Sequence, residues 1–551
     1  MMTLDLSLWR WALLLMVGGS VLIGGRGACA QPAPGPAARP QPGIDVQDYD
    51  FALTLSDTTD RIEGTATVHV RIDADTLTAV RLDLIGRAPG GKTGMRVRSV
   101  SEAGRAVSYR HADDLLRIRP PDLAAGQTRT FRIEYAGVPD DGLIIGTNQH
   151  GDRTFFGDNW PNRARHWLPV VDHLSDKATV EFRVTAPARY DVVSNGALVR
   201  DSTSGGTRHT LWRTDVPLPP KVMVIGVADF AVDTAGTVDG VPVQSWVYPE
   251  DRGPGLKDLG QAPPILRFFE ENLGPYPYAK LANVQSTTRY GGMENAAAIF
   301  YSETAVADGE DDTSLLAHEI AHQWYGNTVT EADWPHLWLS EGFATYLTGL
   351  YLEHARGAAA LRQYMTAARR QVVQFHDANP DTPLVDTTYS DPNELLNTNP
   401  YQKGGWVLHM LRREVGTDTF WRGLRAYYER YRDGNASTRD FRAVMEDVSG
   451  QDLEAFFDQW TRRPGHPVIE GTWRHDAAAG ECVVTLRQTQ DEPPFEVPVQ
   501  VALGESPSRT TTLFMRGREA QSRVDCPRAP SSVTLDPNTD LLAELSMRRA
   551  Q

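Results

Sequence analysis

Polar and apolar residues alternate along several short segments in the first half of the chain. The clearest segment places Ala66, Val68, Val70 and Ile72 between Thr67, His69 and Arg71. Similar runs occur at residues 80–84, 116–119, 131–135, 179–184 and 222–227. Because side chains along a β-strand point alternately to opposite faces, this period predicts strands that bury one face. We therefore expect a mostly antiparallel β domain over residues 44–247.

The spacing of apolar residues changes to a helical period after residue 248. A first helix is predicted around residues 265–273, and Gly274-Pro275 would end it. Further helices are predicted at about 313–326, 341–355, 358–376, 403–414, 418–432 and 438–461. Alternation returns in runs at 482–486, 497–503 and 510–514, which predict a small β-sandwich over 467–551. The predicted fold class is α+β and multidomain: an N-terminal antiparallel β domain, a helix-rich domain over 248–466, and the C-terminal β-sandwich.

The first 43 residues are predicted to lie outside these domains. Arg10 precedes an apolar run over residues 11–25, and the small residues 28–30 form a signal-peptide cleavage site. The apolar run is shorter than the ~20 residues of a membrane-spanning helix. We expect residues 1–30 to be a signal peptide and residues 31–43 a flexible leader. The protein would then be exported, to the periplasm or the extracellular space, without stable membrane insertion after cleavage; an uncleaved N-terminal anchor is the alternative.

The amino-acid composition argues against one class of partner and excludes one class of scaffold. The 551 residues include 55 Lys and Arg against 71 Asp and Glu, a formal net charge of −16. Such an excess of acidic residues argues against nucleic acid as a partner. The three cysteines exclude a disulfide-dense scaffold. Cleavage after Ala30 would leave Cys482 and Cys526, which either form a disulfide in an oxidising compartment or remain two buried thiols.

One short motif indicates a metal centre. His318 and His322 stand four residues apart in a segment predicted to be helical, so both imidazoles would project from one face, with Glu319 at the adjoining rim. A catalytic zinc takes three protein ligands and keeps one position for water. Glu341 follows after a gap of 18 residues, which suits a second helix that faces the first. His336 is a competing ligand that we interpret as a packing or surface residue. We expect one Zn²⁺ per chain, bound by His318, His322 and Glu341.

Four segments together resemble the aminopeptidase N family of gluzincin zinc metallopeptidases. Residues 318–327 and 338–344 resemble the two zinc-site segments of that family. Residues 291–295, Gly-Gly-Met-Glu-Asn, resemble its exopeptidase motif, and residues 401–404 resemble the segment of its catalytic tyrosine. The resemblance covers most of the mature chain and implies a thermolysin-like catalytic domain. Many members carry a large C-terminal helical-repeat domain, and this chain is expected to be a short, exported, bacterial-type member that lacks it.

The resemblance implies a zinc aminopeptidase that removes the N-terminal residue from peptides with a free N-terminus. Glu319 would be the general base on a metal-activated water, and Tyr401 would stabilise the oxyanion. Glu294 would bind the free α-ammonium group of the substrate. The other substrate-binding residues implied by the motif are Gly291, Gly292, Met293 and Asn295, with Met293 beneath the first side-chain pocket.

Several alternatives stay open at this point. The family usually has a second amine-contacting Gln or Glu in the β domain, and here Asp158 or Asn159 stands in its place. Glu294 could be a surface carboxylate and Tyr401 a packed aromatic. A zinc endopeptidase with the same ligands is a second function, although residues 291–295 argue against it. A non-catalytic peptide-binding protein on the same scaffold is a third, although such a protein would typically have lost a ligand or the base.

Overall fold

The computed structural model of the chain describes residues 41–504 and 510–550. The predicted signal peptide, residues 1–30, and most of the predicted leader lie outside the described residues. Within the described part, no helix combines the length and the apolar character that crossing a bilayer requires. Contacts between Cα atoms divide the chain into two compact units: residues up to Trp334 with 390–394 and 428–437, and residues 335–389 and 395–427 with 438 onward.

The first unit is built largely from β-strands. Its first fifteen strands are β1 (Ile44–Thr54), β2 (Ile62–Ile72), β3 (Val80–Asp83), β4 (Gly94–Glu102), β5 (Arg105–Ala106), β6 (Ser108–Ala112), β7 (Leu115–Arg119), β8 (Thr128–Val138), β9 (Leu143–Thr147), β10 (Arg153–Gly157), β11 (Ala178–Pro187), β12 (Asp191–Ser194), β13 (Ala197–Ser204), β14 (Thr207–Leu218) and β15 (Ile225–Ala228). Eight of them form one sheet in the order β13-β14-β11-β1-β2-β8-β4-β5. The alternation predicted for β2 is present, since Ala66, Val68 and Val70 are buried between more exposed neighbours.

Two smaller sheets accompany the large one, in the orders β12-β15-β10-β9 and β3-β7-β6. Pairing in the large sheet is antiparallel except between β1 and β11, which run parallel from Asp48 opposite Thr179 to Thr54 opposite Thr185. Alternation along a strand records which face is buried but not which strand lies next to it. The parallel pair therefore could not be read from the sequence.

The remainder of the first unit carries the elements that lead to the metal motif. They are β16 (Ala231–Val238), β17 (Val241–Val247), α1 (Arg252–Leu259), α2 (Ala262–Leu273), β18 (Leu281–Ser286), β19 (Gly292–Met293), β20 (Ala298–Ser302), α3 (Thr313–Ala321), β21 (Val329–Glu331) and, later in the chain, β22 (Gly434–Ala436). Five strands form a sheet in the order β16-β17-β18-β20-β19. Helix α2 buries the predicted apolar face, and Gly274 ends it with a φ of 115°.

The second unit begins with long helices. They are α4 (Trp338–Arg356), α5 (Ala358–Ala378), α6 (Gly404–Val415), α7 (Thr417–Tyr431), α8 (Thr438–Ser449) and α9 (Glu454–Phe457). Two π-helical turns, Asn399–Lys403 and Asp458–Arg462, precede α6 and follow α9. The prediction of one helix over 438–461 was wrong, because the chain leaves α8 at Gly450, which has a φ of 70°. A positive φ stops an α-helix, and glycine adopts it without steric cost.

The C-terminal part of the second unit consists of strands. They are β23 (Val468–Asp476), β24 (Glu481–Gln488), β25 (Val497–Leu503), β26 (Thr510–Met515), β27 (Glu519–Asp525), β28 (Val533–Leu535) and β29 (Glu544–Arg549). They form two sheets, β27-β24-β23-β29 and β26-β25-β28. Cys482 and Cys526 form a disulfide, with their Cα atoms 5.4 Å apart. The predicted fold class, with its β-rich N-terminal part, helical catalytic region and C-terminal strands, is confirmed.

Candidate metal centre and peptide-binding site

Helix α3 presents the two predicted histidine ligands side by side. Leu316 and Ile320 bury its apolar face, so the opposite positions carry the imidazoles. The Nε2 atoms of His318 and His322 are 3.2 Å apart, and the two ring planes meet at 82°. The helix ends at Ala321, and His322 is its C-terminal cap rather than an interior residue. The i, i+4 relationship survives because His322 keeps a helical backbone conformation.

A second contact orients the His322 ring. Its Nδ1 lies 3.2 Å from the backbone oxygen of Tyr325. A carbonyl only accepts hydrogen bonds, so Nδ1 carries the proton and donates it. Nε2 then keeps its lone pair and is the nitrogen available to a metal.

Glu341 is the third predicted ligand. It lies in the first turn of α4 and is 4% exposed. One ligand atom from each of His318, His322 and Glu341 lies within 4.8 Å of the others. Two imidazoles and one carboxylate are the donor set of a catalytic zinc site, so these residues fit that ion. The competing candidate His336 is not in this group, and its Nδ1 lies 3.0 Å from the Thr438 hydroxyl.

Glu319 packs against the backbone of the exopeptidase-like segment. A Cβ atom built on Gly292 would lie 2.5 Å from Cδ of Glu319, closer than any real contact of a Cβ atom. Gly292 belongs to β19, which pairs antiparallel with β20 and thereby holds this stretch of backbone in place. Only glycine at this position leaves room for the carboxylate of Glu319, which is 4% exposed.

The backbone of Glu294 is tied to the metal motif by two side-chain amides. Its carbonyl oxygen accepts hydrogen bonds from Gln323 Nε2 at 2.9 Å and from Asn327 Nδ2 at 2.6 Å. Gln323 also accepts, through Oε1, a 2.9 Å hydrogen bond from the backbone N–H of Ala297. All three contacts are buried. These two amides, which follow His322 in the chain, therefore set the position of Glu294 relative to the histidine ligands.

The carboxylate of Glu294 is buried, and one of its oxygens accepts no hydrogen bond from the described residues. Glu294 is 5% exposed, and no donor among the described residues reaches Oε1. Among the described residues, the cationic Nζ of Lys221 lies 3.9 Å from Oε1. Lys221 makes a closer ion pair with Glu331, at 2.8 Å. A surface role for Glu294 does not fit this burial.

Lys221 is a residue of the candidate site that the sequence pattern did not predict. It lies in the apolar stretch Pro219-Pro220-Lys221-Val222-Met223 and is 2% exposed. A single lysine inside such a stretch is the signal that could have drawn attention to it, because lysine is almost never buried without an acidic partner. Nothing in the sequence pattern identifies Glu294 and Glu331 as those partners.

Tyr401 lies in the π-helical turn that precedes α6, and it is half-buried. The turn approaches α4 through two glycines: a Cβ atom on Gly342 would lie 2.9 Å from Cα of Gly404 and 3.0 Å from the oxygen of Pro400. Gly342 follows Glu341 directly. The close backbone contact therefore fixes the segment of Tyr401 against the turn of helix that carries Glu341.

Comparison with known families decides the class of this fold. The Peptidase family M1 domain matches residues 258–460, and the Peptidase M1 N-terminal domain matches residues 46–220. Together the two matches cover more than half of the chain. The chain belongs to peptidase family M1. The resemblance to this family of zinc metallopeptidases, recognised from the four motifs, is confirmed.

Individual M1 relatives are distant in sequence. Human glutamyl aminopeptidase is 26% identical over 402 residues, which are 70% of this chain and 42% of that protein. Rat glutamyl aminopeptidase is 24% identical over 82% of this chain and 50% of its own length. The chain thus spans about half the length of the curated relatives it matches.

A solved M1 structure matches more completely. A variant of the M1 zinc metallopeptidase from Deinococcus radiodurans, bound to a Tyr-Ser-Ala substrate, superimposes with a TM-score of 0.66 at 26% identity. The match covers 77% of this chain and 95% of that one. The architecture described above is therefore that of a known M1 zinc metallopeptidase.

The two candidates for the second amine-contacting position of the M1 family differ in their surroundings. Asn159 uses its amide internally: Nδ2 donates to the oxygens of Pro220 and Met223, and Oδ1 accepts from Trp167. Asp158 is fully buried, and its Oδ1 accepts no hydrogen bond from the described residues. Burial raises the pKa of Asp158, against the opposing effect of Arg163 and Arg289. Asp158 is therefore the better candidate of the two.

Proposed function

We propose that this M1 protein is a zinc-dependent aminopeptidase that releases the N-terminal residue of peptides. The observation that carries the proposal is the pair of hydrogen bonds from Gln323 and Asn327 to the Glu294 carbonyl. They hold the backbone of Glu294, whose side chain is buried, next to the metal motif. A carboxylate there selects substrates whose positive N-terminus lies one residue from the bond to be cut.

His318, His322 and Glu341 would hold one zinc ion per chain. The support is the donor set, with a ligand atom of each residue within 4.8 Å of the others. When bound, zinc supplies Lewis-acid activation of a water molecule and of the scissile carbonyl. The Nδ1 hydrogen bond from His322 to Tyr325 would keep the Nε2 lone pair directed to the ion.

Glu319 and Tyr401 would carry the proton transfer and the charge stabilisation. Glu319 would accept a proton as water attacks the peptide carbonyl and would pass it to the departing amine. Its contact with Gly292 restricts where the carboxylate can lie. The Tyr401 hydroxyl would donate a hydrogen bond to the oxyanion, a contribution of about 100-fold to 1000-fold in rate.

Glu294 would bind the α-ammonium group of the substrate. Its Oε1 has no hydrogen bond among the described residues, so an incoming ammonium group gains a buried, charge-assisted contact without displacing another donor. A peptide with a blocked N-terminus brings no positive charge and would leave the carboxylate unpaired. Recognition of the free N-terminus is what separates this proposal from a zinc endopeptidase.

The purified protein should cleave aminoacyl anilides and lose activity when 1,10-phenanthroline removes its metal. Glu319→Gln should retain zinc and lose turnover, because this residue is not a ligand. Glu341→Gln should lose zinc as well as activity. His336→Gln, the matched control at the competing position, should retain both.

The readouts are zinc content by mass spectrometry and initial rates on free and N-acetylated reporters. Equal rates on the two reporters would support the endopeptidase instead, and zinc-loaded but inactive wild-type protein would support a binding protein.

We also propose that the protein is exported. The disulfide between Cys482 and Cys526 supports this, because disulfides persist mainly in oxidising compartments. Fractionation of the producing cells, with a periplasmic marker and a cytoplasmic marker, tests it. Recovery of reduced protein with the cytoplasmic marker would contradict the proposal.

A further inference from the structure

A second group of acidic side chains lies at the start of the metal-site helix α3. One carboxylate oxygen from each of Asp258, Asp308 and Asp312 lies within 4.8 Å of the others. Asp258 belongs to α1, Asp308 lies in the connection before α3, and Asp312 directly precedes Thr313, the first residue of α3. The proposed peptidase mechanism uses none of these three side chains.

Asp312 is the unusual member of this acidic group. It is 0% exposed, and neither Oδ1 nor Oδ2 accepts a hydrogen bond from any described residue. It also makes no capping hydrogen bond to α3, although it is the N-cap residue of that helix. A buried charge without partners is strongly unfavourable unless something neutralises it. Its carboxylate therefore points into the group with both oxygens available.

The other two carboxylates are oriented by backbone hydrogen bonds. Oδ2 of Asp258 accepts from the N–H of Ala307 at 3.1 Å, and Oδ1 of Asp308 accepts from the N–H of Glu310 at 2.9 Å. Asp258 is 2% exposed, whereas Asp308 lies at the surface. The site is thus preorganised on its buried side and open to solvent on one side.

The electrostatic surroundings favour a bound cation over bare carboxylates. Burial, and after it the charges of Asp258, Asp308, Asp311 and Glu310, raise the pKa of Asp312 to about 8. Burial raises the pKa of Asp258 as well. Without a cation, a pKa of about 8 keeps Asp312 largely protonated at neutral pH. A divalent ion would relieve the same repulsion and allow Asp312 to ionise.

We propose that Asp258, Asp308 and Asp312 bind a calcium ion at the N-terminal end of α3. Carboxylate oxygens are the ligands of hard divalent cations. Calcium accepts oxygen ligands at about 2.3–2.6 Å in flexible geometry, so oxygens within 4.8 Å of one another can share one ion, whereas magnesium demands a near-ideal octahedron and keeps several waters. Zinc prefers nitrogen and sulfur ligands, which this group lacks. Water would complete the coordination through the exposed side of Asp308.

The consequence for the molecule concerns the helix that carries His318, Glu319 and His322. A calcium ion would join α1, the connection before α3 and the first turn of α3. Removing it would loosen the start of α3 while leaving the three metal ligands of the proposed peptidase site in the chain. Calcium should therefore act on thermal stability and, through α3, on zinc retention.

The test uses the zinc-loaded protein, freed of calcium by passage over a chelating resin, with zinc content checked before and after. Calcium chloride alone is then the probe, and magnesium chloride and potassium chloride at matched ionic strength are its controls. Equilibrium dialysis should find one calcium per chain. Saturating calcium should raise Tm by about 2–5 °C, since binding to the folded state stabilises it, and magnesium should raise it less.

Two variants and a matched control make the assignment specific. Asp312→Asn should abolish calcium binding, and without calcium its Tm should equal or exceed that of the wild type, because a buried charge is gone. Asp308→Asn, at the exposed ligand, should weaken calcium binding by tenfold or more with little change in calcium-free Tm. Glu310→Gln, an exposed neighbour outside the group, should bind calcium as the wild type does. Failure of the wild type to bind millimolar calcium, or equal binding by Asp312→Asn, would overturn the proposal and leave a protonated buried carboxyl group.

Discussion

Gly292 and Glu319 are in such close contact that no side chain fits between them: a Cβ atom on Gly292 would lie 2.5 Å from Cδ of Glu319. The glycine belongs to the segment that would bind the peptide, and the glutamate is the proposed general base. Because the nearest atoms are at the flexible end of the glutamate, an added methyl group would displace the carboxylate rather than disrupt the fold. This contact therefore offers a way to move the base without removing it.

Gly292→Ala should lower kcat/KM by roughly 100-fold, since a displacement of the order of 1 Å is enough to cost that much. Zinc content and Tm should stay close to those of the wild type. Gly253→Ala is the matched control, because a Cβ atom at Gly253 would meet nothing within 4 Å. Steady-state rates and metal analysis of both variants provide the check. Loss of zinc in Gly292→Ala would mean that the segment supports the ligands rather than the base.

Glu294→Gln should raise KM for substrates with a free N-terminus. Glutamine keeps the volume but removes the negative charge that would pair with the substrate ammonium. The loss of a charge-assisted hydrogen bond corresponds to about 1.5–3 kcal/mol, or about 10-fold to 150-fold in kcat/KM. The rates to compare are those on a free peptide and on its N-acetylated form, whose ratio should fall in the variant. An unchanged ratio would show that the amine is bound elsewhere, with Asp158 as the next residue to change.

Tyr401→Phe removes one hydroxyl and almost no volume. If that hydroxyl stabilises the oxyanion, kcat should fall by about 100-fold to 1000-fold, corresponding to about 3 kcal/mol, with KM nearly unchanged. Zinc content should not change, because Tyr401 is not among the ligands. An effect on KM alone would instead make Tyr401 a residue that positions the substrate.

The pH dependence of stability should contain a contribution from Asp176. Burial is the main cause that raises the pKa of this carboxyl group to about 8, with Asp45 and Asp83 adding to it. Between the unfolded pKa, about 4, and the folded value, Asp176 keeps its proton in the native state and loses it in the unfolded state. The free energy of unfolding therefore falls as pH rises through this range. Asp176→Asn cannot lose this proton. Its Tm should therefore decline less than that of the wild type between about pH 5 and about pH 8.

Thermal scans across that pH range compare Asp176→Asn with Asp215→Asn, a change at an aspartate whose side chain is 87% exposed. The control should follow the wild-type curve. A parallel decline in wild type and Asp176→Asn would show that Asp176 is ionised throughout in the folded protein.

Loss of the disulfide should destabilise the C-terminal strands without removing zinc. The bridge joins residues 44 positions apart, and the chain-entropy model assigns about 4 kcal/mol to a loop of that length. Urea unfolding of the double variant Cys482→Ala with Cys526→Ala should show this loss, and the variant should be insensitive to reductant. Wild-type protein with reductant is the matched comparison. Equal unfolding free energies of the oxidised wild type and the double variant would mean that the bridge contributes nothing to stability.

The juxtaposition of the two histidines was predictable because its geometry is encoded locally. Residues four apart on a helix share a face wherever the helix lies, so His318 and His322 needed no tertiary information. Glu341 could be added because an intact second motif placed it on another helix. The strand segments were also predictable, because burial of one face makes apolar and polar residues alternate with a period of two.

Contacts between distant segments could not be read in this way. The roles of Gln323 and Asn327 depend on the Glu294 carbonyl, 29 and 33 residues away, and nothing in their own segment indicates that acceptor. The break at Gly450 was missed because the apolar spacing continues on both sides of it. Lys221 and Glu331, 110 residues apart, pair only because the chain is folded.

The ion pair between Lys221 and Glu331 determines the net charge of the proposed amine site. Lys221 lies between two acidic side chains, at 2.8 Å from Glu331 and 3.9 Å from Glu294, so these three groups together carry one net negative charge. A substrate ammonium would bring the net charge of the three groups to zero. An acetylated or deprotonated N-terminus would leave one negative charge uncompensated. Because the groups are buried, dissolved salt would screen this balance only weakly. Discrimination between charged and uncharged N-termini should then persist at ionic strengths that abolish surface electrostatic effects.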